Sequence, residues 1–598
     1  MGGFNNRFQC ACCANNDGDG EKEMTSAPSL AIKTSNSSQF SWRSTKTKDL
    51  LDDKHVQRYF PMLLVRLETL LVARRLQSCG KLQANSRLME EEPDIAVHFV
   101  SHQWLSFKHP DPDGIQLRKL QSVWRTFLAN QGETLFAHDD WSAFLEGASS
   151  GSARAVEQIE SIHSSGKTTE EAITDDILEG SVWIDFCCVP QVVDVVDVKD
   201  MDQTTEQQSK AIASIPAYVQ RADYFWVVAP RAVHADTGVV CNFNTWRRRG
   251  WCRLEEWANN LVERRKFPLV LTDKPKLDTV GMVDYYVGCV GHEDRSVCSG
   301  DFTCCSLGHV VTTEEGHMIT IPCDKEKVSN VIRELYRGKK AAWAAADQKL
   351  MHNFSILLKR AVYAGSDFYE KDYDAHESVG EFLSRIKYKD VDDTDGLGSG
   401  PWLPACMTAH PDLLALLEKA KPGMMTSRNK IGFMPLMGFC LHYEDVLEEL
   451  MTLVPHMGDA SHINLATELG YTALSYAASG WPDRVKLLLE RKADVNHQDS
   501  CGRTALHAAA MKNVPACMDI LIAHKADVDL QDKYGNTALH YAADVVTILG
   551  NNDDSSKTDV VKSLVAARAR VQVQNKEGKT PAVVAAESCC DAALTLLS

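Results

Sequence analysis

Three short blocks carry the side chains that could do chemistry. They read FVSHQWL at 99–105, VWIDFCCVPQ at 182–191 and RRRGWCRLEEWANNL at 247–261. His102 could transfer protons near neutral pH, and Asp185 and Glu255 supply carboxyl groups for general acid or base work. The indoles of Trp104 and Trp251 could stack on a flat ligand.

Each of these residues also has a structural interpretation. Glu255 could lie on a solvated helix face beside nearby arginines, because paired acids near basic residues are common on exposed helices. Asp185 is better explained as a buried, hydrogen-bonded structural acid, and His102 as a structural hydrogen-bonder, than as catalytic groups. Core packing is the favoured role for Trp183.

The elements that must position these blocks alternate between strands and helices. Short apolar runs, which predict buried strands, occupy 94–100, 181–188, 223–229 and 267–271. Segments with helical period occupy 114–130, 204–221 and 249–265. The alternation predicts a flavodoxin-like α/β domain with a parallel sheet. The first two blocks then fall at the carboxyl ends of strands, where open α/β sheets bind ligands.

These blocks resemble the Toll/interleukin-receptor-like superfamily, and within it the fungal heterokaryon-incompatibility type. Trp-Ile-Asp-x-x-Cys-x-x-Gln at 183–191 is similar to the central motif of that type, and Trp-Cys-x-x-Glu at 251–255 to a helix motif of plant members. The resemblance implies that Glu255 is a catalytic residue for NAD cleavage. Asp185 and His102 are weaker catalytic candidates, which rest on their residue types alone. It implies NAD as a substrate, with Ser101, Trp104 and Trp251 as binding candidates. The chain departs from the plant pattern in its Ser-His-Gln-Trp box at 101–104 and in an insertion at 147–179.

A repeat fills the C-terminal third. Its copies GYTALSYAA, GRTALHAAA, GNTALHYAA and GKTPAVVAA begin at 470, 502, 535 and 578, so the spacings are 32, 33 and 43 residues. The period and the Thr-Ala-Leu-His core resemble ankyrin repeats. The resemblance implies that Gly forms the finger turn, Thr starts the first helix and Leu packs between helices. The longest gap holds the polar stretch 550–559, which we expect to loop outward between two helices.

The repeat residues that carry this resemblance share one motif. They are Gly470, Thr472, Gly502, Thr504, Leu506, His507, Gly535, Thr537, Leu539, His540, Gly578 and Thr580.

These patterns divide the chain into six parts. We predict a disordered leader at 1–47, a helical segment at 48–93, the α/β domain at 94–271, an α+β extension at 272–389, an acidic linker at 390–401 and an all-α ankyrin solenoid at 402–598. The clear copies lie near 468–500, 501–533, 534–575 and 576–598, with a degenerate copy from about 430.

A cysteine- and histidine-rich stretch at 289–323 invites a zinc interpretation. Its spacing, C-x2-H-x5-C-x5-C-C-x3-H with a further Cys323, lacks paired C-x2-C knuckles. We therefore predict core thiols and no metal, with zinc as the alternative.

Composition limits the classes of function. The 598 residues include 64 basic and 81 acidic side chains, so the net charge of −17 argues against a general nucleic-acid binder. Nineteen cysteines without a secretory signal favour a reducing, cytoplasmic compartment.

The N-terminus contains groups that could carry lipid. Gly2 could be acylated after removal of the initiator methionine, and thioester chains could attach at Cys10, Cys12 and Cys13. The alternative is an unmodified tail, because Asn6 stands where Ser or Thr is expected. We expect peripheral membrane binding only if this segment is acylated.

Three functions remain open. The leading hypothesis is a signalling or scaffold protein that binds an unidentified protein partner through its ankyrin repeats. The second is an NAD-cleaving enzyme that uses Glu255 and is recruited by the repeats. In the third, the α/β domain only associates with itself.

Overall fold

The structure is a computed structural model. It describes residues 57–136, 168–191, 201–261, 268–279, 296–306, 308–312, 318–320, 323–345, 377–408, 411–441, 447–453, 455–544, 554–588 and 590–597, with a few isolated positions between them. The expected leader at 1–47, and with it Gly2, Cys10, Cys12 and Cys13, lies outside the described residues. Within the described part of the chain, no helix combines the length and apolar character needed to cross a membrane.

A seven-stranded mixed sheet forms the centre of the N-terminal half. Its strands are β1 (Leu63–Arg66), β2 (Leu88–Glu90), β3 (Val97–His102), β4 (Ser181–Trp183), β5 (Tyr224–Val228), β8 (Pro268–Leu271) and β9 (Asp278–Thr279). The spatial order is β2-β1-β4-β3-β5-β8-β9. The four central strands β4, β3, β5 and β8 are parallel, as the alternating pattern predicts. A separate two-stranded ribbon pairs β6 (Ala232–Val233) with β7 (Val240–Cys241).

The expectation of a purely parallel sheet is corrected at both edges. β1 pairs antiparallel with β4 and with β2, and β9 pairs antiparallel with β8. Part of the predicted helical segment 48–93 therefore belongs to the sheet. The run around β1 has helical spacing, but Leu64 and Val65 are fully buried because the strand completes the sheet.

Helices flank this sheet. They are α1 (Leu67–Val72), α2 (Cys79–Ala84), α3 (Ile115–Leu128), α4 (Glu170–Glu179), α5 (Asp185–Cys188), α6 (Met201–Ala213), α7 (Ile215–Arg221), α8 (Phe243–Arg248) and α9 (Gly250–Leu261). The predicted insertion at 147–179 is corrected at its end, because its last ten residues form α4 and bury Ile173 and Ile177. Residues 147–167 lie outside the described residues. The predicted strand 181–188 ends at Trp183, and α5 follows it.

The extension after the sheet contains a hairpin and a long helix. Its elements are α10 (Thr303–Ser306), β10 (Val310–Thr312), β11 (Met318–Thr320), α11 (Asp324–Ala345) and α12 (Val379–Arg385). β10 and β11 pair antiparallel, with Val310 opposite Thr320.

The acidic stretch expected to be a linker is folded. Asp395 is buried, and its carboxylate accepts hydrogen bonds from the backbone N–H groups of Leu397 and Ser399 at 2.9 and 2.8 Å. The backbone N–H of Lys430 donates to the carbonyl of Leu397 at 2.9 Å. The stretch therefore packs against the start of the helical array, because its acidic side chains serve as local turn caps.

The C-terminal part is a stack of helices. They are α13 (Trp402–Thr408), α14 (Pro411–Ala420), α15 (Pro435–Phe439), α16 (Leu447–Leu453), α17 (Ala460–Ile463), α18 (Ala473–Ala477), α19 (Pro482–Glu490), α20 (Ala505–Lys512), α21 (Pro515–Ala523), α22 (Ala538–Ala543), α23 (Asp554–Ala566), α24 (Pro581–Glu587) and α25 (Asp591–Leu597). Short 3-10 turns occupy Gly132–Leu135 in the sheet domain, and Met424–Thr426 and Pro455–Gly458 in the array. Leu506 and Leu539 are buried, and the helices that carry them, α20 and α22 of adjacent repeats, pack against each other. The polar stretch 550–559 does not all loop outward, because α23 begins at Asp554.

The sheet domain and the helical array touch through a charged contact. Lys274 Nζ lies 3.1 Å from an Asp278 carboxylate oxygen and 2.9 Å from an Asp544 oxygen at the end of α22. Burial alone would lower the pKa of Lys274, but the two carboxylates outweigh it and raise that pKa above its ordinary value.

Candidate functional site

The candidate site lies where β3 and β4 end against α9. Ser101 and His102 are the last two residues of β3, and Asp185 begins α5 just after β4. Parallel pairing of β3 with β4 places these strand ends at the same edge of the sheet. Glu255 reaches this edge from the second turn of α9. The structure therefore brings together four of the residues singled out in the sequence.

Glu255 is buried beside the end of β3. Its side chain is hydrogen-bonded to the Ser101 hydroxyl, and the indole N–H of Trp246 donates to the same hydroxyl at 3.1 Å. Only 8% of Glu255 is exposed, so it does not lie on a solvated helix face. The neighbouring Glu256 is the acid that faces an arginine, with a carboxylate oxygen 3.8 Å from Arg247.

This environment changes the acidity of Glu255. Burial raises the pKa of its carboxyl group to about 8, with a further contribution from the negative charge of Asp185. The hydrogen bond from Ser101 and the charge of His102 act in the opposite direction and are weaker. The carboxyl group is therefore mostly protonated at neutral pH, and it can donate or accept a proton close to physiological conditions.

His102 and Asp185 form an ion pair within the same cluster. His102 Nε2 donates to Asp185 Oδ1 at 2.7 Å, and Nδ1 faces Gln116 Oε1 at 2.8 Å. The Gln116 amide nitrogen donates to the carbonyl of Gln103 at 2.7 Å, so its oxygen is the atom turned toward the imidazole. Both ring nitrogens therefore donate, which is possible only for the imidazolium form.

The pKa directions agree with that geometry. Burial lowers the pKa of His102, but the charge and hydrogen bond of Asp185 outweigh it, so the pKa lies above its ordinary value. Burial raises the pKa of Asp185, but His102 and the Trp104 indole, 2.7 Å from Asp185 Oδ2, lower it below its ordinary value. The Asp185 carboxylate is one-third exposed, so this ion pair reaches the surface beside Glu255.

The tryptophans separate into three environments. Trp104 lies in the cluster through its hydrogen bond to Asp185 and its edge contact with Phe186. Trp251 turns away, because its indole N–H faces an Asp324 carboxylate oxygen at 3.4 Å. Trp183 is fully buried and stacks on Phe99 with ring centroids 4.4 Å apart. Of the two binding candidates among these residues, Trp104 is hydrogen-bonded to the cluster, whereas the indole N–H of Trp251 faces α11.

Sequence reasoning missed two residues of this cluster. Gln116 orients His102 from α3, and Trp246 orients Ser101 from α8. The sequence contained one indication for Gln116. It lies four residues before the apolar Leu120, so it is a polar residue on the apolar face of α3. Trp246 gave no signal that distinguishes it from an ordinary core residue.

A second candidate surface runs along the finger turns of the helical array. At each turn a glycine takes a positive φ, from 75° to 81° at the four repeat glycines and 77° at Gly432. The Asp532 N–H donates to the Asn536 carbonyl at 2.9 Å across one such turn, and the Asn429 N–H donates to the Phe433 carbonyl at 3.0 Å across another. The degenerate copy near 430 therefore has the same turn as the clear copies.

Hydrogen bonds join neighbouring fingers. The backbone N–H of Lys533 donates to the Cys501 carbonyl at 2.7 Å, and that of Lys576 to the Tyr534 carbonyl at 2.9 Å. The Gln531 amide bridges the carbonyls of Gly535 and Gln574 at 2.7 and 3.3 Å. The fingers are thus held in register, while the side chains of Lys533 and Lys576 are exposed at their tips.

In two of the repeats a histidine side chain takes part in the cap of the first helix. The N–H of Thr504 donates to His507 Nδ1 at 3.1 Å, and the other ring nitrogen faces the Asn536 carbonyl of the next finger at 3.3 Å. His540 repeats this pattern with Thr537 and Lys579. Thr472 and Thr580 precede their helices as N-caps, as the repeat motif predicts.

Comparison with known proteins supports the repeat assignment in part of the helical array. Residues 479–559 match the family model for ankyrin repeats in three copies. This part of the chain is an ankyrin-repeat region. No curated protein matches the chain. The Toll-like resemblance of 94–271 has no support from the family match.

Proposed function

We propose that this protein is a signalling or scaffold protein that binds a protein partner through its ankyrin repeats. The observation that carries this function is the ankyrin match at 479–559, since such arrays present an extended surface to other proteins. The finger tips supply a suitable surface. Their backbones are fixed by hydrogen bonds between fingers. Equivalent tip positions carry exposed side chains of three types: Glu468, Ser500, Lys533 and Lys576.

A photo-crosslinking side chain placed in the full-length protein tests this function. At position 533 it should capture a partner, whereas at position 562, on the exposed face of α23, it should not. The captured protein is then purified and its affinity for the full chain is measured. We expect the double variant Lys533→Glu/Lys576→Glu to weaken binding at least about tenfold, and Lys562→Glu to leave it unchanged. Equal affinity of the partner for the wild type, the double variant and Lys562→Glu would refute binding at the finger tips.

A second function, cleavage of NAD, is favoured by the position of Glu255. In this reaction the bond between nicotinamide and ribose breaks, water adds to the ribose carbon, and nicotinamide and a proton are released. An ionised Glu255 would stabilise positive charge on the ribose or position its hydroxyl groups. The burial of Glu255 beside the ends of β3 and β4 supports this proposal, because ligands of open α/β sheets bind at that edge.

Nicotinamide release by the full chain tests the second function. Because the pKa of Glu255 is about 8, the rate should rise with pH and level off above that value. Glu255→Gln should abolish release, and Glu256→Gln should preserve it as the matched control. No release by the wild-type chain, including after forced clustering, would exclude this enzyme. Concentration-dependent self-association would then favour the third function, assembly through the sheet domain.

A further inference from the structure

A group of thiols and one imidazole lies outside the site described above. Cys304, Cys305, His309 and Cys323 each offer one ligand atom, and these four atoms all lie within 4.8 Å of one another. Cys305 Sγ is 4.0 Å from Cys304 Sγ and 3.7 Å from Cys323 Sγ. With Zn–S bonds of about 2.3 Å, two ligands of a tetrahedral zinc ion are about 3.8 Å apart. The sulfur spacing therefore already matches that of a zinc site.

Local chain geometry explains how these residues meet. Gly308 and His309 both adopt left-handed conformations, with φ of 61° and 59°, and the His309 N–H donates to the Cys304 carbonyl at 2.8 Å. This tight turn folds His309 back onto the two cysteines of α10. The β10–β11 hairpin then reverses the chain and returns it beside His309, so Cys323 completes the group three residues after β11.

Two polar atoms near the thiols favour a metal over a cluster of ordinary core thiols. The backbone N–H of Asp324 points at Cys304 Sγ at 3.3 Å, an arrangement that stabilises a thiolate. His309 Nε2 is buried and has no hydrogen-bond partner among the described residues. A buried imidazole nitrogen without a partner costs free energy of folding. A metal ion bound to the ring would offset this cost.

We propose that Cys304, Cys305, His309 and Cys323 bind one zinc ion. Three thiolates and one imidazole complete a tetrahedral shell and leave no position open for water, so the site is structural rather than catalytic. The sequence favoured core thiols because paired C-x2-C knuckles are absent. The hairpin replaces such a knuckle by bringing Cys323 to the first three ligands.

The zinc site would support the helix that carries Glu255. The residues before Cys304 clamp the start of α9, where the Gly250 N–H donates to the Asp301 carbonyl at 3.0 Å. Phe302 covers Gly250 so closely that an added Cβ would lie 2.0 Å from the ring. On the other side of the group, the Asp324 carboxylate contacts the Trp251 indole at 3.4 Å. Loss of the metal should therefore loosen α9.

Metal analysis of the full-length protein, purified without added chelator, tests the proposal. We expect about one zinc per chain, and the Co²⁺-substituted protein should show the strong visible absorption of a tetrahedral ion with thiolate ligands. This measurement needs no variant. A wild-type chain that holds no stoichiometric zinc after incubation with Zn²⁺, or a Cys305–Cys323 disulfide in protein from reducing cells, would overturn the proposal.

Variants then assign the ligands. Cys305→Ser, Cys323→Ser and His309→Ala should each weaken zinc binding by more than the 10–100-fold that loss of an outer contact costs. His309→Cys should retain zinc, because four thiolates also form a structural site. Cys298→Ser, in the same segment but outside the group of four, should bind zinc as the wild type does. Hydrogen exchange in 250–261 should increase when the wild-type zinc is removed. Unchanged zinc affinity in all three ligand variants would contradict the assignment.

Discussion

Glu255 and Ser101 are 154 residues apart in the chain and share a hydrogen bond inside the sheet domain. The bond joins the second turn of α9 to the end of β3, and Trp246 adds a third group to it. It places an acid with a pKa of about 8 beside an imidazolium–carboxylate pair. The two kinds of group differ in protonation because burial dominates at Glu255, whereas mutual charge dominates at His102 and Asp185.

The first prediction concerns stability and Glu255. An unfolded Glu titrates near pH 4.3 and the folded one near 8, so the folded state binds more protons between these values. Stability should therefore fall as pH rises through this window, by up to about 1.4 kcal/mol per pH unit. Glu255→Gln should flatten this dependence and stabilise the sheet domain at pH 8 by about 1–3 kcal/mol. Urea unfolding of the full chain, monitored through hydrogen exchange in residues 97–102 and 250–261, measures the effect.

The neighbouring Glu256→Gln provides the control and should keep the wild-type pH dependence. Identical pH dependence in wild type and Glu255→Gln would mean that Glu255 titrates near its ordinary pKa. The burial argument for this residue would then be incorrect.

The second prediction concerns the His102–Asp185 ion pair. In Asp185→Asn the burial of the imidazole is no longer offset, so the pKa of His102 should fall below its ordinary value of about 6.5. Gln116→Leu should lower the pKa less, because the charge of Asp185 remains. Histidine-selective NMR titration of the full chain reads both shifts. A smaller shift in Asp185→Asn than in Gln116→Leu would contradict the ion-pair argument.

Local patterns in the sequence predicted most of the elements around this site. Apolar runs indicated the four central strands, and the start of β3 differs by three residues from the predicted 94–100. β1 could not be recognised from the sequence. It is a four-residue, mostly apolar segment inside a run with helical spacing, and nothing in that run indicates that it pairs with β4. The sequence also gave no indication of the pairing of His102 with Asp185, since 83 residues separate them.

The same limit applies to the thiol group. The spacing of the cysteines along the chain argued against a metal, because it contains no C-x2-C pair. Cys305 and Cys323 come close only through the register of the β10–β11 hairpin, which the spacing does not show. The ankyrin region was the easier prediction, because each repeat restates its own motif and contacts mainly its neighbours.

The third prediction separates strain from crowding at the finger turns. Gly535 and Gly578 have similar φ values of 79° and 75°. An added Cβ at Gly535 would lie 2.9 Å from the Lys576 backbone nitrogen, but at Gly578 it would meet no atom within 4 Å. Gly578→Ala should therefore cost about 1 kcal/mol of unfolding free energy, and Gly535→Ala about 2–3 kcal/mol. Chemical denaturation of the full chain, monitored by hydrogen exchange in the repeats, compares the two variants. Equal losses of unfolding free energy would mean that crowding of the added Cβ at position 535 costs nothing.

The last prediction concerns pH and the repeat histidines. His507 Nδ1 accepts from the Thr504 N–H and Nε2 faces the Asn536 carbonyl, so the geometry suits a neutral ring. Burial lowers the pKa of both His507 and His540 below the ordinary value. Below about pH 6.5 the unfolded chain therefore binds more protons than the folded chain, and the ankyrin region loses stability as pH falls.

The loss should approach about 1.4 kcal/mol per pH unit for each of the two rings. Hydrogen exchange in 505–512 and 538–543 of the full chain, compared at pH 5.5 and 7.5 after correction for intrinsic exchange rates, measures it locally. The double variant His507→Gln/His540→Gln should remove most of the pH dependence. His524→Gln, at an exposed position after α21, should retain it. The double variant removes the two imidazoles and leaves every other titrating group of the repeats in place. If it keeps the full pH dependence, the acid sensitivity comes from groups other than His507 and His540.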